Sequence, residues 1–301
     1  MRKIVILCSH NGEKYICDQI KSILNQETRV DFIHVHDFSS DDRTVEFVLE
    51  IAGNYNDVIR LCQHSDKPGP ASSFIRALNL VDSPEEYIVF LADQDDIWLP
   101  HKVSTMMDLL STENLDFAAH DVKIVDANLN VLKGSFYSSY WDISRDLNRE
   151  CIQLANPIIG HTMVFRGDIL KRLILIENKS IVMHDWWILF QILNGDYKIG
   201  FSNTQLSLYR QHENNILGSG IKNKFRIKRL RNHGESLVNM NLLTSEMNLV
   251  DNKDLLLNRS SLDRFKKLKP FRKFAFIEIC LNLYFTSMYF SKSNQNNTAR
   301  L

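Results

Sequence analysis

Cysteine is sparse in this 301-residue chain and badly placed for cross-linking. Cys8, Cys17, Cys62, Cys151 and Cys280 are odd in number, far apart and without a CxxC pair. That pattern argues against a disulfide framework and a structural zinc site, and for a reducing compartment. Net charge is absent too, with Lys+Arg and Asp+Glu both at 36, so no global field recruits nucleic acid or an acidic partner. Neither GxGxxG nor GxxxxGK[ST] occurs, which disfavours dinucleotide-type and P-loop phosphate binding. The apolar stretch "KFAFIEICLNLYFTSMYF" over 273–290 is interrupted by Glu278 and Asn282, too short and too polar for a spanning helix. The opening "MRKIVILC" runs into a polar turn without a small-residue cleavage pattern, so it reads as a first strand and not a signal peptide. No internal repeat is present, and the only low-complexity stretch is the polar tail "SKSNQNNTARL", expected to fray.

What is present is an ordinary globular composition, 44% hydrophobic and 24% charged, enough for one large domain or one domain with an appendage. Strands and helices alternate in the first half. "KIVILC" reads as a buried strand, followed by a helix from about Glu13 with Ile16, Ile20, Ile23 and Leu24 on one face. "VDFIHVH" is a second strand, closed by "DFSSDD" with Ser39 as the expected helix cap. A helix carrying Val45, Val48, Leu49 and Ala52, the strand "VIRLCQ", the loop "DKPGP" and the helix "ASSFIRALNLV" come next. "EYIVFLA" is the fourth strand. This order predicts an α/β fold with a doubly wound, mostly parallel sheet and helices on both faces. Beyond Asp116 we expect strands at "DFAAHDVKIVD" and "GHTMVF", and a helix near Gly167–Ile176. After them come the block "MHDWWILFQIL" and, past about Gly220, a basic helical region.

Ligands of such sheets gather at the carboxyl ends of the strands, where "SHNG", "HDFSSDD" and "DQDD" fall. In "LADQDDIW", Asp93 and Asp95 at i and i+2 can converge on a hard divalent cation. The bland alternative is a solvated turn with an aspartate as cap, the role we expect of Asp96 before a helix near Pro100. Asp37 ends strand two, where a carboxylate can accept hydrogen bonds from a nucleotide or cap a helix. Gly12, after Asn11, is expected to supply permissive dihedrals for a close backbone approach or an ordinary turn. In "HDWW", Asp185 beside Trp186 and Trp187 is either a desolvated general base or a helix cap next to core tryptophans. Arg210 and His212 in "YRQH" offer a bidentate cation and an imidazole for an anion or a metal.

Taken in order over roughly residues 3–218, these segments resemble the family 2 glycosyltransferases of GT-A fold, in particular their bacterial rhamnosyltransferase-like branch. The segments that carry the likeness are "CSHNGEKYICDQIKSILNQ", "HDFSSDDRT", "FLADQDDIWLPHK", "GHTMVFRGDIL", "HDWW" and "YRQHENNILG". The resemblance implies an inverting, metal-dependent transfer of a sugar from a nucleotide diphosphate to an acceptor hydroxyl. It assigns the donor nucleotide to Ser9, Asn11, Asp37 and Asp93, and Mn²⁺ or Mg²⁺ to Asp95, Asp93 and His212. Asp185 becomes the general base, Arg210 and His212 stabilise the leaving diphosphate, and Gly160, His161, Thr162 and Trp186 line the sugar and acceptor pocket. The chain departs from the branch at His36, Phe38 and His161, which leaves the base and the sugar open.

We therefore expect a catalytic domain over 1–218 and a basic helical region over 219–301 that meets a membrane surface or a second subunit. The expected donor is linked to dTDP, UDP or GDP, and the expected acceptor is a lipid-linked cell-surface glycan. The location implied is the cytoplasm, with peripheral contact on the inner membrane face. A nucleotidyltransferase and a silent sugar-nucleotide-binding scaffold are the competing readings.

Overall fold

In a computed structural model, residues 1–152, 156–178, 181 and 183–213 are described. The expected boundary near 218, the 219–301 region and the 273–290 segment lie outside the described residues.

The chain runs β1 (Arg2–Ser9), α1 (Ile16–Leu24), β2 (Phe32–Phe38), α2 (Thr44–Ala52), β3 (Ile59–His64), α3 (Pro70–Asn79), β4 (Tyr87–Ala92). It continues through β5 (Ile97–Trp98), α4 (Lys102–Thr112), β6 (Phe117–Val125), β7 (Val131–Lys133) and three short helices, α5 (Phe136–Tyr140), α6 (Ile143–Asp146) and α7 (Arg149–Ile152). After a 3₁₀ turn at Gly160–Thr162 come β8 (Val164–Arg166), a further 3₁₀ segment at Gly167–Lys171, α8 (His184–Asn194) and β9 (Ile199–Arg210). The strands form one sheet in the order β3-β2-β1-β4-β8-β6-β9-β5, with β7 on β6. β3, β2, β1 and β4 are mutually parallel. β8 is antiparallel to both β4 and β6, whereas β6 and β9 are parallel.

β1 is apolar on consecutive residues because both faces of the sheet are covered. Ile4 and Ile6 pack with α3 and α8 on one face, and Val5 and Leu7 with α1 and α4 on the other, as the period of two along a strand requires. α1 buries Ile16, Ile20 and Ile23 at helical spacing. α8 is buried at every residue from His184 to Leu193, which is why it lacks a polar face. Truncating Trp187, fully buried in that core, would cost about 3–5 kcal/mol. α3 begins with Pro70 at its first position, where its missing N–H costs nothing. The preceding Gly69 has φ +88, a conformation glycine adopts freely.

Several local expectations need correction. The helix expected near Gly167–Ile176 is a 3₁₀ segment of Gly167–Lys171. Gly167 sits so close to the carbonyl of Pro84 that a Cβ would reach within 1.9 Å, so tertiary packing fixes this stretch. "GHTMVF" is a strand only from Val164. Ser39 does not cap α2, whose N-cap is Arg43. Ser39 instead turns the chain with φ +58. Asp96 does not cap the next helix either: α4 starts at Lys102 with His101 as N-cap, and Asp96 is fully buried beneath the acidic turn.

Candidate active site

A cavity of about 590 Å³ opens at the carboxyl ends of β1, β2 and β4, walled by the starts of α3 and α8 and the end of β9. The β1 turn supplies Cys8, Ser9, His10 and Asn11, and the turn after β4 supplies Asp93, Gln94 and Asp95. Ile159 and Gly160 face His184 and Asp185, with Tyr209 and His212 beside them. Of the residues singled out from sequence, Ser9, Asn11, Asp93, Asp95, Gly160, Asp185 and His212 line this cavity. Asp37, His161, Thr162, Trp186 and Arg210 stand behind its walls.

The β1 turn is tied to its neighbours by side chains. Asn11, with φ +50, carries the left-handed conformation expected of Gly12. Gly12 is needed for a different reason, since a Cβ there would lie 2.3 Å from Gln94 Oε1. That oxygen accepts from the His10 amide at 2.9 Å, and Gln94 Nε2 donates to the His10 carbonyl at 3.1 Å. Asp37 accepts from Ser9 Oγ at 2.9 Å, Ser40 N at 3.0 Å and Ser40 Oγ at 2.5 Å. Its carboxylate thus holds the turns of β1 and β2 together, a job the sequence did not reveal.

In the acidic turn the three aspartates have separate partners. Asp95 Oδ2 meets His212 Nε2 at 2.8 Å. Burial raises the Asp95 carboxyl to about 6, with Asp96 and Asp93 adding to it and His212 opposing. Asp96 pairs with His161 Nδ1 at 2.6 Å, both side chains fully buried. His161 also lies 3.5 Å from Asp93. Although burial pulls the other way, Asp96 and Asp93 hold the His161 pKa up at about 9, so its ring is an imidazolium. Burial works against ionisation of Asp93, yet His161 keeps its carboxyl below the ordinary value. Lys102, 1% exposed, donates from Nζ to the His161 carbonyl at 2.8 Å and sits 3.7 Å from the Trp98 ring centroid. Neither Lys102 nor the pairing of His161 was legible in sequence.

Arg210 is 3% exposed. Its backbone N–H donates to Asp96 Oδ1 at 3.0 Å, Nε donates to the Asp95 carbonyl at 2.8 Å, and Nη1 donates to the Ala127 carbonyl at 3.1 Å. The guanidinium lies 4.4 Å from the Tyr15 ring centroid. It locks the acidic turn to the β6–β7 connection.

Among the described residues one group of three ligand atoms is close enough to share a cation, and Asp95 and His212 form a separate pair 2.8 Å apart. Asp93, Asp96 and His161 converge within 4.8 Å, with Asp93 lining the cavity and Asp96 and His161 fully buried. Asp95 and His212 reach the cavity, with Asp93 beside them. The carboxylate oxygens suit Mn²⁺ or Mg²⁺, and the imidazole favours a transition metal such as Mn²⁺ over the harder Mg²⁺, so this donor set fits a divalent ion.

Asp185, the second residue of α8, is 7% exposed, and accepts from Gly160 N at 3.1 Å (Oδ2) and from Trp186 N at 2.7 Å (Oδ1). Burial pushes its carboxyl up to about 7, with Asp93 adding to it and the two backbone N–H groups opposing. A carboxylate poised near neutrality in a cavity is suited to proton transfer. Trp186 turns away, its Nε1 donating to the Ile152 carbonyl at 2.6 Å. Thr162 Oγ1 donates to the Ile159 carbonyl at 2.7 Å. His184, unmarked as a site residue in the sequence, is in the cavity wall.

Comparison with known proteins agrees with this architecture. The family model described as Glycosyl transferase family 2 matches residues 4–174. The chain is 28% identical over 233 residues to dTDP-rhamnosyl transferase RfbG of Shigella flexneri, covering 74% of this chain and 78% of that protein. It is 30% identical over 132 residues to the Escherichia coli UDP-Glc:alpha-D-GlcNAc-diphosphoundecaprenol beta-1,3-glucosyltransferase WfgD, covering 44% and 49%. Among solved structures, S. aureus TarS 1-349 in complex with UDP superposes with TM-score 0.57 at 14% identity, over 97% of this chain and 92% of that one. The mannosyltransferase PcManGT from Pyrobaculum calidifontis, in complex with GDP-Man and Mn²⁺, gives TM-score 0.57 at 15% identity, over 95% and 75%. The last two likenesses concern the fold, which is GT-A.

Proposed function

The chain belongs to glycosyl transferase family 2, and from that premise we propose that it is an inverting transferase. It moves a hexose from a nucleoside diphosphate to a hydroxyl of a cell-envelope glycan acceptor. The observation that carries this reading is a single cavity lined by Asp95, His212 and Asp185, the first two paired at 2.8 Å. The matches to a dTDP-rhamnosyl transferase and to a glucosyltransferase whose name includes a diphosphoundecaprenol acceptor support rhamnose or another hexose as cargo. The glucosyltransferase's name supports a lipid-linked acceptor, and for such an acceptor we propose contact with the inner membrane face. Among the described residues no helix is long and apolar enough to cross a membrane.

In the reaction, Asp185 accepts the proton of the acceptor hydroxyl as its oxygen attacks the anomeric carbon. The bond from that carbon to the diphosphate oxygen breaks with its electron pair staying on the diphosphate. Attack opposite the leaving group inverts the anomeric centre. A divalent cation, when bound by Asp95 and His212 with Asp93 beside them, supplies charge neutralisation for the diphosphate. Ser9, Asn11 and Asp93 take the nucleoside side, with Asp37 bracing the turns behind them. Gly160 faces the reacting sugar and fixes Asp185 through its N–H. His161, Thr162 and Trp186 act from behind the wall. Arg210 serves the diphosphate indirectly, by holding Asp95 in place.

A thermal-shift panel of dTDP-rhamnose, UDP-glucose, UDP-GlcNAc and GDP-mannose, each with and without Mn²⁺, tests this reading. A ligand present at about 100 times its Kd stabilises the native state by about 2.7 kcal/mol, so the cognate donor with Mn²⁺ raises Tm clearly. No shift with any of the four contradicts a donor site. Binding without turnover would instead favour a silent scaffold.

A further inference from the structure

His184 is the first residue of α8, directly before Asp185, and its side chain is in the cavity wall. The residue is 2% exposed, yet neither Nδ1 nor Nε2 has a hydrogen-bond partner. The ring stacks on Phe74 with centroids 3.9 Å apart and planes at 21°. Nε2 is directed at Gly160, where a Cβ would come within 2.6 Å. Burial pulls the pKa down to about 4, Asp93 opposing, so near pH 7 the ring is neutral, with one N–H donor and one bare nitrogen acceptor.

Leaving a buried polar atom unpaired carries its full desolvation penalty, and here both ring nitrogens are unpaired. Phe74, Ile159 and Met183 border the same cavity and would pack well against an aliphatic side chain. The imidazole is therefore a poor choice for the core and a good one for a ligand. A hydroxyl is both donor and acceptor and can pair with either nitrogen. A diphosphate, by contrast, calls for cations. Stacking on Phe74 fixes the ring plane in advance, so little ordering remains when a ligand arrives.

We propose that His184 recognises a sugar hydroxyl at the reaction centre and so sets which sugar, or which acceptor position, is used. This rests on the glycosyl-transfer reading of the same cavity. The hydroxyl belongs either to the donor hexose or to the acceptor, and the experiment separates the two.

The test compares wild type with His184→Phe, which keeps the stack on Phe74 but has no ring nitrogen, and with His184→Asn, which restores a donor and an acceptor. Folding of each is checked by circular dichroism. The probes are the four nucleotide sugars named above and their singly deoxygenated or deoxyfluoro analogues, with Mn²⁺, titrated calorimetrically. If the donor is read, wild type prefers one hydroxyl over its deoxy analogue by at least tenfold. His184→Phe brings that ratio close to one, and His184→Asn recovers part of it. If the acceptor is read, the donor ratio is unchanged in His184→Phe and the KM for the probe acceptor, GlcNAc-diphosphoundecaprenol, rises at least tenfold. A donor ratio and an acceptor KM both within twofold of wild type overturn the proposal. A wild-type protein that binds no nucleotide sugar overturns the transfer reading, and this one with it. Should His184→Phe fail to fold, the same two ratios measured on His184→Leu and His184→Met, which also lack ring nitrogens, decide.

Discussion

Replacing Asp185 by asparagine separates catalysis from stability, and the structure sets the size of both effects. The Asp185 carboxyl moves from an ordinary 3.8 to about 7 in the native state. Between those values the native protein holds a proton that the unfolded chain has released. The associated stability is complete below the unfolded pKa and is lost as pH rises through the folded one. At 1.36 kcal/mol per pH unit that gap amounts to about 4 kcal/mol, borne in full by wild type above about pH 8. Asparagine carries no charge to desolvate, but it offers one oxygen where the carboxylate accepts from both Gly160 N and Trp186 N. One N–H then faces an NH₂ group, at a cost of about 1–3 kcal/mol. Asp185→Asn should therefore be roughly 1–3 kcal/mol more stable than wild type at pH 8.5 and less stable at about pH 4, while turnover falls by about 10²–10⁴. Urea unfolding of both proteins across this pH range measures it, since the difference between them cancels every other titrating group. Midpoint curves that coincide at all pH values would refute the buried-base argument.

Three other substitutions probe the supports of the site. His161→Gln leaves Asp96 buried without its cation and should cost about 3–5 kcal/mol, read as a drop in urea midpoint. Arg210→Lys cannot reproduce the two donor contacts to the Asp95 and Ala127 carbonyls and should lose about 2–3 kcal/mol, with weaker Mn²⁺ binding by calorimetry. Asp95→Asn should abolish the Mn²⁺-dependent part of any nucleotide-sugar thermal shift and leave the metal-free part in place.

The alternation through β4 was legible because parallel strands covered on both faces appear as unbroken apolar runs, as in Ile4–Leu7 and Ile88–Ala92. The insertion of β8 between β4 and β6 was not, since three residues, "VFR", carry it and its partners are distant in sequence. The cavity-lining Asp93, Asp95, Asp185 and His212 stood out as acids and an imidazole at element ends. Their supports did not. Whether Asp96 caps a helix or pairs with His161 depends on where Gly160–Thr162 packs. The buried position of Lys102 depends on Trp98 and the His161 carbonyl. Arg210 was legible as a cation, but its targets are two main-chain carbonyls that no side-chain pattern encodes. His184 was overlooked because an imidazole beside an acid reads as part of a helix start until its missing partners are seen.

The central claim is sugar transfer with inversion, using Asp185 as base in the cavity that Asp95 and His212 also line. Its most direct test needs no knowledge of the acceptor. The nucleotide sugar that stabilises the protein is incubated with enzyme and Mn²⁺, water serves as the acceptor, and the anomer first released is identified by ¹H NMR before mutarotation. The account predicts the anomer opposite to that of the donor, with release suppressed in Asp185→Asn. First release of the donor's own anomer, or equal release by Asp185→Asn, would contradict it.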